Sequence, residues 1–361
     1  MSLKTLSYFA LVDISKSPGV VKKIQDTVIA AQENGLKATH NIYPTSLSGV
    51  SGFLKALVTS NSDVVMIRFS DLVFPIVFFV MNVLRLRGKK IIVDVPTPRS
   101  TGLREMDKMV TNPAKRSVRK FISYASASWV LMPANLIIQY ADEGKWFSLG
   151  LRYKTLKMGN GILITDDIPL TKAVWPKNQL NLIAVAQLAD WHGYDRMLYA
   201  LAELKKQNLP CEVTFTVVGD GEALPFLKKL ANDLNLENVN FKGRLTGKDL
   251  DDVFANMHVG VASLGLYRVG LNEAAVLKTR EYMARGLAVV TAGQDPDFYA
   301  QETKKFRYEV SNDSDIVGIV SLIVKFTTNE VLDFDPKACR IFAESNLDLR
   351  NKIKTITLGL K

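Results

Sequence analysis

Two glutamates eight residues apart, Glu273 and Glu281, enclose Lys278 and Arg280 in the segment GLNEAAVLKTREYMARGLAVV at 270–290. Its pattern predicts a helix over 276–285, stopped by Gly286 and followed by an apolar strand. Glu273 then precedes the helix and Glu281 lies about one turn inside it. Around Val276 to Thr279 such a helix leaves free N–H groups, and the two cations add positive charge. Amides, macrodipole and cations together suit a diphosphate. A carboxylate one turn inside suits two ribose hydroxyls. The same two glutamates would equally suit a solvated helix face.

The turn after the first apolar run carries Ser15, Ser17, Pro18 and Gly19. Gly19 lets a backbone approach closely, and the helix start offers amides to an anion, although an ordinary turn and cap explains the residues as simply. Other chemistry is excluded more readily. His40, His192 and His258 are not at metal-ligand spacing, and Cys211 and Cys339 are far apart, so a zinc site and a disulfide framework are disfavoured. Asp-x-Asp occurs at Asp249/Asp251, Asp295/Asp297 and Asp333/Asp335, one pair on an amphipathic helix and two in loops; no metal is assigned to them. Neither half opens with GxGxxG, which disfavours a nicotinamide or flavin cofactor.

The elements that must position these residues alternate. Strands are expected at 5–12, 36–43, 63–68, 90–95 and 128–132, with helices between them, the first at 18–34. The pattern restarts with strand 180–188, helix 194–207, strand 212–218, the turn Gly219-Asp220-Gly221 and helix 222–234. Strand 238–242, helix 247–256, strand 257–262, helix 276–285 and strand 287–291 follow, and helices fill most of 314–361. Strand-helix alternation implies parallel, doubly wound sheets. Two Rossmann-like domains are expected, with a ligand cleft at the carboxyl ends of their strands. Their expected bounds are 1–165 and 175–335, with a helical tail at 336–361 packing back on the first domain.

The chain has 361 residues, 46 basic and 36 acidic, a net charge of +10. Residues 1–160 hold 22 basic and 10 acidic side chains, so the excess positive charge lies in that half. One cluster is Arg85, Arg87, Lys89 and Lys90; the other is Arg99, Arg104, Lys108, Lys115, Arg116, Arg119 and Lys120. Such asymmetry points to an anionic partner. Nucleic acid is disfavoured, because no binding motif or interleaved aromatics accompany the charge. The longest apolar run, Leu72 to Leu84, is too short to span a bilayer, and Leu6 to Val12 is not a signal peptide. A cytoplasmic protein, peripheral on an anionic membrane face, is expected.

The second half resembles the family 4 glycosyltransferases of the GT-B fold. The resemblance rests on the Glu-x7-Glu pair Glu273 and Glu281, on VGDG at Val218 to Gly221, and on Asn160-Gly161 between the domains. A subgroup of bacterial capsule and exopolysaccharide transferases is similar also in DVPTP (94–98), WHGYDR (191–196), SLGLYRVG (263–270) and LKTREYMARG (277–286). The similarity covers most of the chain and is densest at 180–300. It departs at the family's phosphate-binding Arg and Lys, where Gln187 and His192 stand. Lys278 with Arg268 or Arg196 would supply that charge. His192 would donate to a phosphate or cap its turn, and Asp195-Arg196 reads as an ion pair at a helix start. The family's His-Asp pair is replaced by Asp94-Val95-Pro96-Thr97, so no general base is identified.

The resemblance implies a retaining, metal-independent glycosyltransferase, with a nucleotide diphosphate sugar as co-substrate and no cofactor. Glu281 would hold ribose, and Lys278, with amides near Leu277 and Thr279, the diphosphate. Arg244 and Leu245, after strand 238–242, would sit near the base, and Gly219 would also bind the donor. Glu273 would hold sugar hydroxyls, with Leu271 and Asn272 in the same loop, and Gly19 would approach the diphosphate. The acceptor would be a glycan or a polyprenyl-diphosphate-linked glycan of bacterial surface polysaccharide synthesis. A nucleotide-sugar 2-epimerase and a non-catalytic sugar-nucleotide-binding subunit are the alternatives.

Overall fold

The computed structural model describes residues 4–15, 17–173, 175, 178–300, 305–328 and 334–360, without the side chains of residues 105, 108 and 109. The chain divides into two compact units, 1–163 with 348–361, and 164–347.

The first unit runs β1 (Thr5–Leu11), α1 (Pro18–Glu33), β2 (Lys37–Tyr43), α2 (Leu47–Val58), β3 (Val64–Arg68) and α3 (Phe74–Leu86). It continues with β4 (Lys90–Val95), α4 (Arg99–Met109), α5 (Pro113–Ser126), β5 (Leu136–Gln139), α6 (Lys145–Ser148) and β6 (Thr155–Lys157). The strands are parallel, in the order β2-β1-β3-β4-β5-β6. The central strands are mostly apolar, as expected of strands covered on both faces. Val65, Ile67, Ile91, Val93 and Ile137 pack against Phe53, Val77, Met81 and Leu84 of the covering helices.

The apolar run at 128–132 is not a strand. Trp129–Leu131 forms a 3-10 turn, in which the Leu131 amide donates to Ser128 and that of Met132 to Trp129. The fifth strand begins after Pro133, at Leu136. A short buried run fits helix or strand equally, and here the proline decides.

The second unit runs β7 (Gln179–Val185), α7 (Tyr194–Leu204), β8 (Glu212–Val218), α8 (Leu224–Asp233), β9 (Val239–Gly243) and α9 (Gly247–Phe254). Then come β10 (Val259–Val261), α10 (Leu277–Ala284), β11 (Ala288–Ala292), β12 (Arg307–Val310), α11 (Val317–Thr327) and α12 (Pro336–Asn346). Its parallel sheet has the order β12-β11-β10-β7-β8-β9. The chain leaves β7 towards β8 and β9, then crosses to β10 on the other side. The loops after β7 and β10 therefore diverge at the carboxyl edge, the usual ligand position in such sheets.

The C-terminal segment is shared. α12 belongs to the second unit, whereas α13 (Leu349–Leu358) belongs to the first. There Asn34 donates to the Arg350 carbonyl at 3.0 Å, and Arg350 pairs with Glu33.

Candidate active site

The loops after β7, β8 and β9 are fused at their carboxyl ends. The Gly219 amide donates to Gly243 O at 2.7 Å, and the Leu188 amide to Asp220 O at 2.7 Å. Gly219 has φ +130°, and a Cβ there would lie 1.8 Å from the Ala186 oxygen, so only glycine fits. This contact places Arg244, exposed, and Leu245, half-buried, beside the Gly219 turn. Across the switch point, Leu264 N donates to His192 O at 2.8 Å. Gly193, with φ +67°, packs so close to Gly265 that a Cβ would lie 2.5 Å from its nitrogen.

α10 starts at the same edge. Val276, its N-cap residue, contributes no side-chain cap. The Val276 amide donates to Ala274 O and the Thr279 amide to Val276 O, both at 3.1 Å. The amides of Leu277 and Lys278 meet no acceptor among the described residues. Glu281 is half-buried one turn further on, and its carboxylate has no hydrogen-bond or ion-pair partner among the described residues. Thr279 is buried and Leu277 half-buried.

The cations named from the sequence have different fates. Arg268 is held by Asp190 at 2.8 Å and by both oxygens of Asp195, at 3.0 and 2.7 Å. Arg196 is buried and donates to the carbonyls of Leu264 and Asp315, so it braces the loops after β10 and β12. The expected Asp195-Arg196 pair does not form, because Asp195 serves Arg268 instead. Arg280 is buried against Asp295 and Asp297, at 2.7 Å from each. Arg268, Arg196 and Arg280 are thus engaged, and of the four only Lys278 has no carboxylate within ion-pair distance among the described residues.

The same contacts assign the acidic pairs. Asp295 and Asp297 hold Arg280, Asp251 pairs with Arg285 at 2.7 Å, and Asp335 caps α12 through the Lys337 amide at 2.9 Å. Asp333 lies outside the described residues. No group of three or more His, Cys, Asp or Glu among the described residues could hold a metal.

His192 is buried, and its Nδ1 accepts the Ala189 N–H at 3.1 Å. Its Nε2 lies 2.7 Å from Lys278 Nζ. Burial, and then the lysine, push its pKa down to about 2. Lys278 is itself lowered to about 8 by burial, with Glu281 acting against that shift. Gln187, the other departure from the family pattern, is exposed. Glu273 is buried in the loop before α10 and accepts the Tyr299 hydroxyl. Leu271 and Asn272 share that loop: Asn312 donates to Leu271 O at 2.8 Å, and Asn272 O accepts the Gln294 amide at 2.8 Å.

Residues 179–319 match the family model of the group 1 glycosyl transferases. That span holds the second sheet as far as β12 and every side chain just described in this unit except Asp335. No curated protein matches the chain. Among solved structures it is similar to the lipopolysaccharide outer core galactosyltransferase WaaB at 10% identity, with a TM-score of 0.65, over 98% of this chain and 99% of that one. HepE of Anabaena, solved with UDP and glucose, is 13% identical with a TM-score of 0.66, over 99% of each chain. A glycosyltransferase of Rickettsia africae is 12% identical with a TM-score of 0.66, over 100% of each. The fold is that of the GT-B glycosyltransferases. Two Rossmann-like domains were expected, and two are found.

In the first unit, Gly19 is the second residue of α1 and exposed, and a Cβ there would meet nothing within 4 Å. Its own unit therefore does not require glycine at this position. Sequence reasoning missed a buried polar cluster at the carboxyl edge of this sheet. Asp94 of β4 is fully buried, accepts the Tyr8 hydroxyl of β1, and pairs with Arg68 of β3 at 3.2 Å. Burial, and then Asp94, raise the Tyr8 pKa well above the ordinary phenol value. Residues sharing an edge across neighbouring strands leave no local sequence signal. Asn160 accepts from Lys23, whose ammonium lies 3.9 Å from the centre of the Tyr140 ring. Arg99, counted in the basic cluster, is buried against Glu143 at 3.6 Å and leaves that surface.

Proposed function

We propose that this protein is a retaining, metal-independent glycosyltransferase that uses a nucleotide diphosphate sugar. One arrangement carries the reading: at a switch-point edge the uncapped start of α10 joins two amides and a Glu281 carboxylate that meet no partner among the described residues, together with the Lys278 amine. Amides and amine suit a diphosphate, and a carboxylate one turn inside suits ribose hydroxyls. Glu273 and its loop face the sugar, and Arg244 and Leu245 the base. The match over 179–319 and the fold support this reading. Catalysis then rests on stabilising the departing diphosphate, with the acceptor entering from the same face.

The acceptor is a glycan or a polyprenyl-diphosphate-linked glycan of a bacterial surface polysaccharide, held by the first unit. This unit docks on an anionic membrane face. No helix among the described residues is long and apolar enough to cross a membrane. α3 buries Phe74, Val77, Met81 and Leu84 but exposes Ile76, Phe79, Val83 and Leu86. Its neighbour α5 exposes Val118, Phe121 and Tyr124 among Lys115, Arg116, Arg119 and Lys120. Ser123 of α5 donates to Asp71, just before α3, at 2.7 Å, and Phe78 of α3 meets the ring of Trp129, just after α5. Apolar side chains interspersed with cations fit an anionic interface.

Incubating the protein with UDP-, GDP- and ADP-sugars and a polyprenyl-diphosphate glycan, in excess EDTA, tests the activity. Free nucleoside diphosphate and a lengthened glycan with the donor's anomeric configuration are expected. An epimerised donor, or binding without turnover, would overturn the reading. Loss of turnover that manganese or magnesium restores would overturn metal independence.

A further inference from the structure

His192 and Lys278 present a problem of proton count. The Ala189 N–H donates to His192 Nδ1 at 3.1 Å, so Nδ1 carries a lone pair and no proton. A neutral imidazole with that tautomer carries its proton on Nε2. Nε2 lies 2.7 Å from Lys278 Nζ, so an ammonium there would set one donor against another. The contact is a hydrogen bond only if the lysine is the neutral amine and accepts.

We propose that His192 is a positioning residue that holds Lys278 as a neutral amine in the empty site at alkaline pH, and that an arriving nucleoside diphosphate then charges this lysine by drawing one proton from solvent. The inference rests on the donor-site reading above and specifies how that site is regulated. The surroundings divide, two neighbours favouring the charged lysine and burial opposing them. Lys278 faces the Trp191 ring at 5.3 Å, and Glu281 of its own helix acts to raise its pKa. Burial outweighs Glu281 and leaves the pKa at about 8. Trp191 and Tyr194 flank the imidazole, with ring centres at 3.9 and 5.5 Å. Arg268, from the loop after β10, is tied to Asp190 and Asp195. A diphosphate brings negative charge to the amine, raises its proton affinity and releases it from Nε2. The lone Nε2–H is then free to donate to the same anion. Donor affinity is therefore highest below pH 8 and falls about tenfold per pH unit above it.

Calorimetric titration of the full chain with UDP, GDP and ADP, in two buffers of different ionisation enthalpy, counts the proton. At pH 9 the diphosphate is fully ionised and adenine has no ring proton to exchange there, so with ADP the proton belongs to the protein. Uptake close to one proton at pH 9, shrinking towards zero at pH 7, is expected. Binding at pH 9 without uptake would overturn the inference and leave the donor site standing. Binding of none of the three at either pH would overturn the donor reading and this inference with it. Two variants separate positioning from packing. His192→Asn keeps an acceptor for the Ala189 N–H but has no donor at the Nε2 position, so its lysine stays charged to a higher pH and uptake at pH 9 falls. His192→Gln carries an amide donor to that position and restores uptake. Equal uptake in the wild type and both variants would overturn the role of His192.

Discussion

Arg280 and Asp295 form a two-pronged ion pair with both partners buried: Nη1 meets Oδ2, and Nη2 meets Oδ1 at 2.7 Å. Asp297 accepts from the same Nη2 at 2.7 Å. The pair ties the start of α10 to the turn after β11. Arg280→Ala would leave buried carboxylates uncompensated, at a loss of about 3–5 kcal/mol. Urea denaturation checks it, and Asp297→Asn should lose less, since Asp295 remains in place. A midpoint for Arg280→Ala within error of the wild type would contradict this role.

His192 makes stability pH-dependent in a definite direction. Its pKa is about 2 in the folded protein, against about 6.5 unfolded. The unfolded chain therefore takes up the proton first, and stability is fully present above pH 6.5. It is lost as pH falls from there towards 2, at about 1.4 kcal/mol per unit. Thermal midpoints from pH 7 to 4.5 should fall more steeply for the wild type than for His192→Asn. Parallel curves would show that the imidazole is not held neutral.

Glu281→Ala should weaken nucleoside diphosphate binding. A charged acceptor for hydroxyls is worth about 1.5–3 kcal/mol, so affinity should drop roughly 10- to 150-fold. The carboxylate has no hydrogen-bond or ion-pair partner among the described residues, so the fold should survive the change. Calorimetry on the folded variant measures it, and unchanged affinity would remove Glu281 from the site.

Sedimentation with liposomes tests the membrane face. Binding to anionic vesicles should weaken as salt rises, because each cation near the surface contributes about 1 kcal/mol, screened beyond about 8 Å. Neutralising Lys115, Arg116, Arg119 and Lys120 should reduce binding. Phe79→Ser with Phe121→Ser should reduce it as well, since these rings are 66% and 73% exposed. Equal binding to neutral and anionic vesicles, or none at low salt, would favour a soluble acceptor.

The strand-helix alternation, the two sheets, and the Glu273–Glu281 spacing about a helix start were legible in the sequence. These are local properties. Apolar periodicity, a proline in the first turn and a glycine after the last act within a few residues of themselves. The strand at 136–139 was misplaced onto 128–132 because a short buried run satisfies either element. What the sequence could not divide was its charge. Arg268, Arg196, Arg280 and Lys278 are four cations near one motif, and as a sequence they are equivalent. Arg268 meets Asp195, 73 residues away, and Arg196 meets the carbonyl of Asp315, 119 residues away. Arg280 meets Asp295 across the turn after β11. Folding gives three of them permanent partners and sets Lys278 against an imidazole. Backbone preference is decided by chain neighbours, but the availability of a charge depends on what packs against it. Only the tertiary structure supplies those contacts.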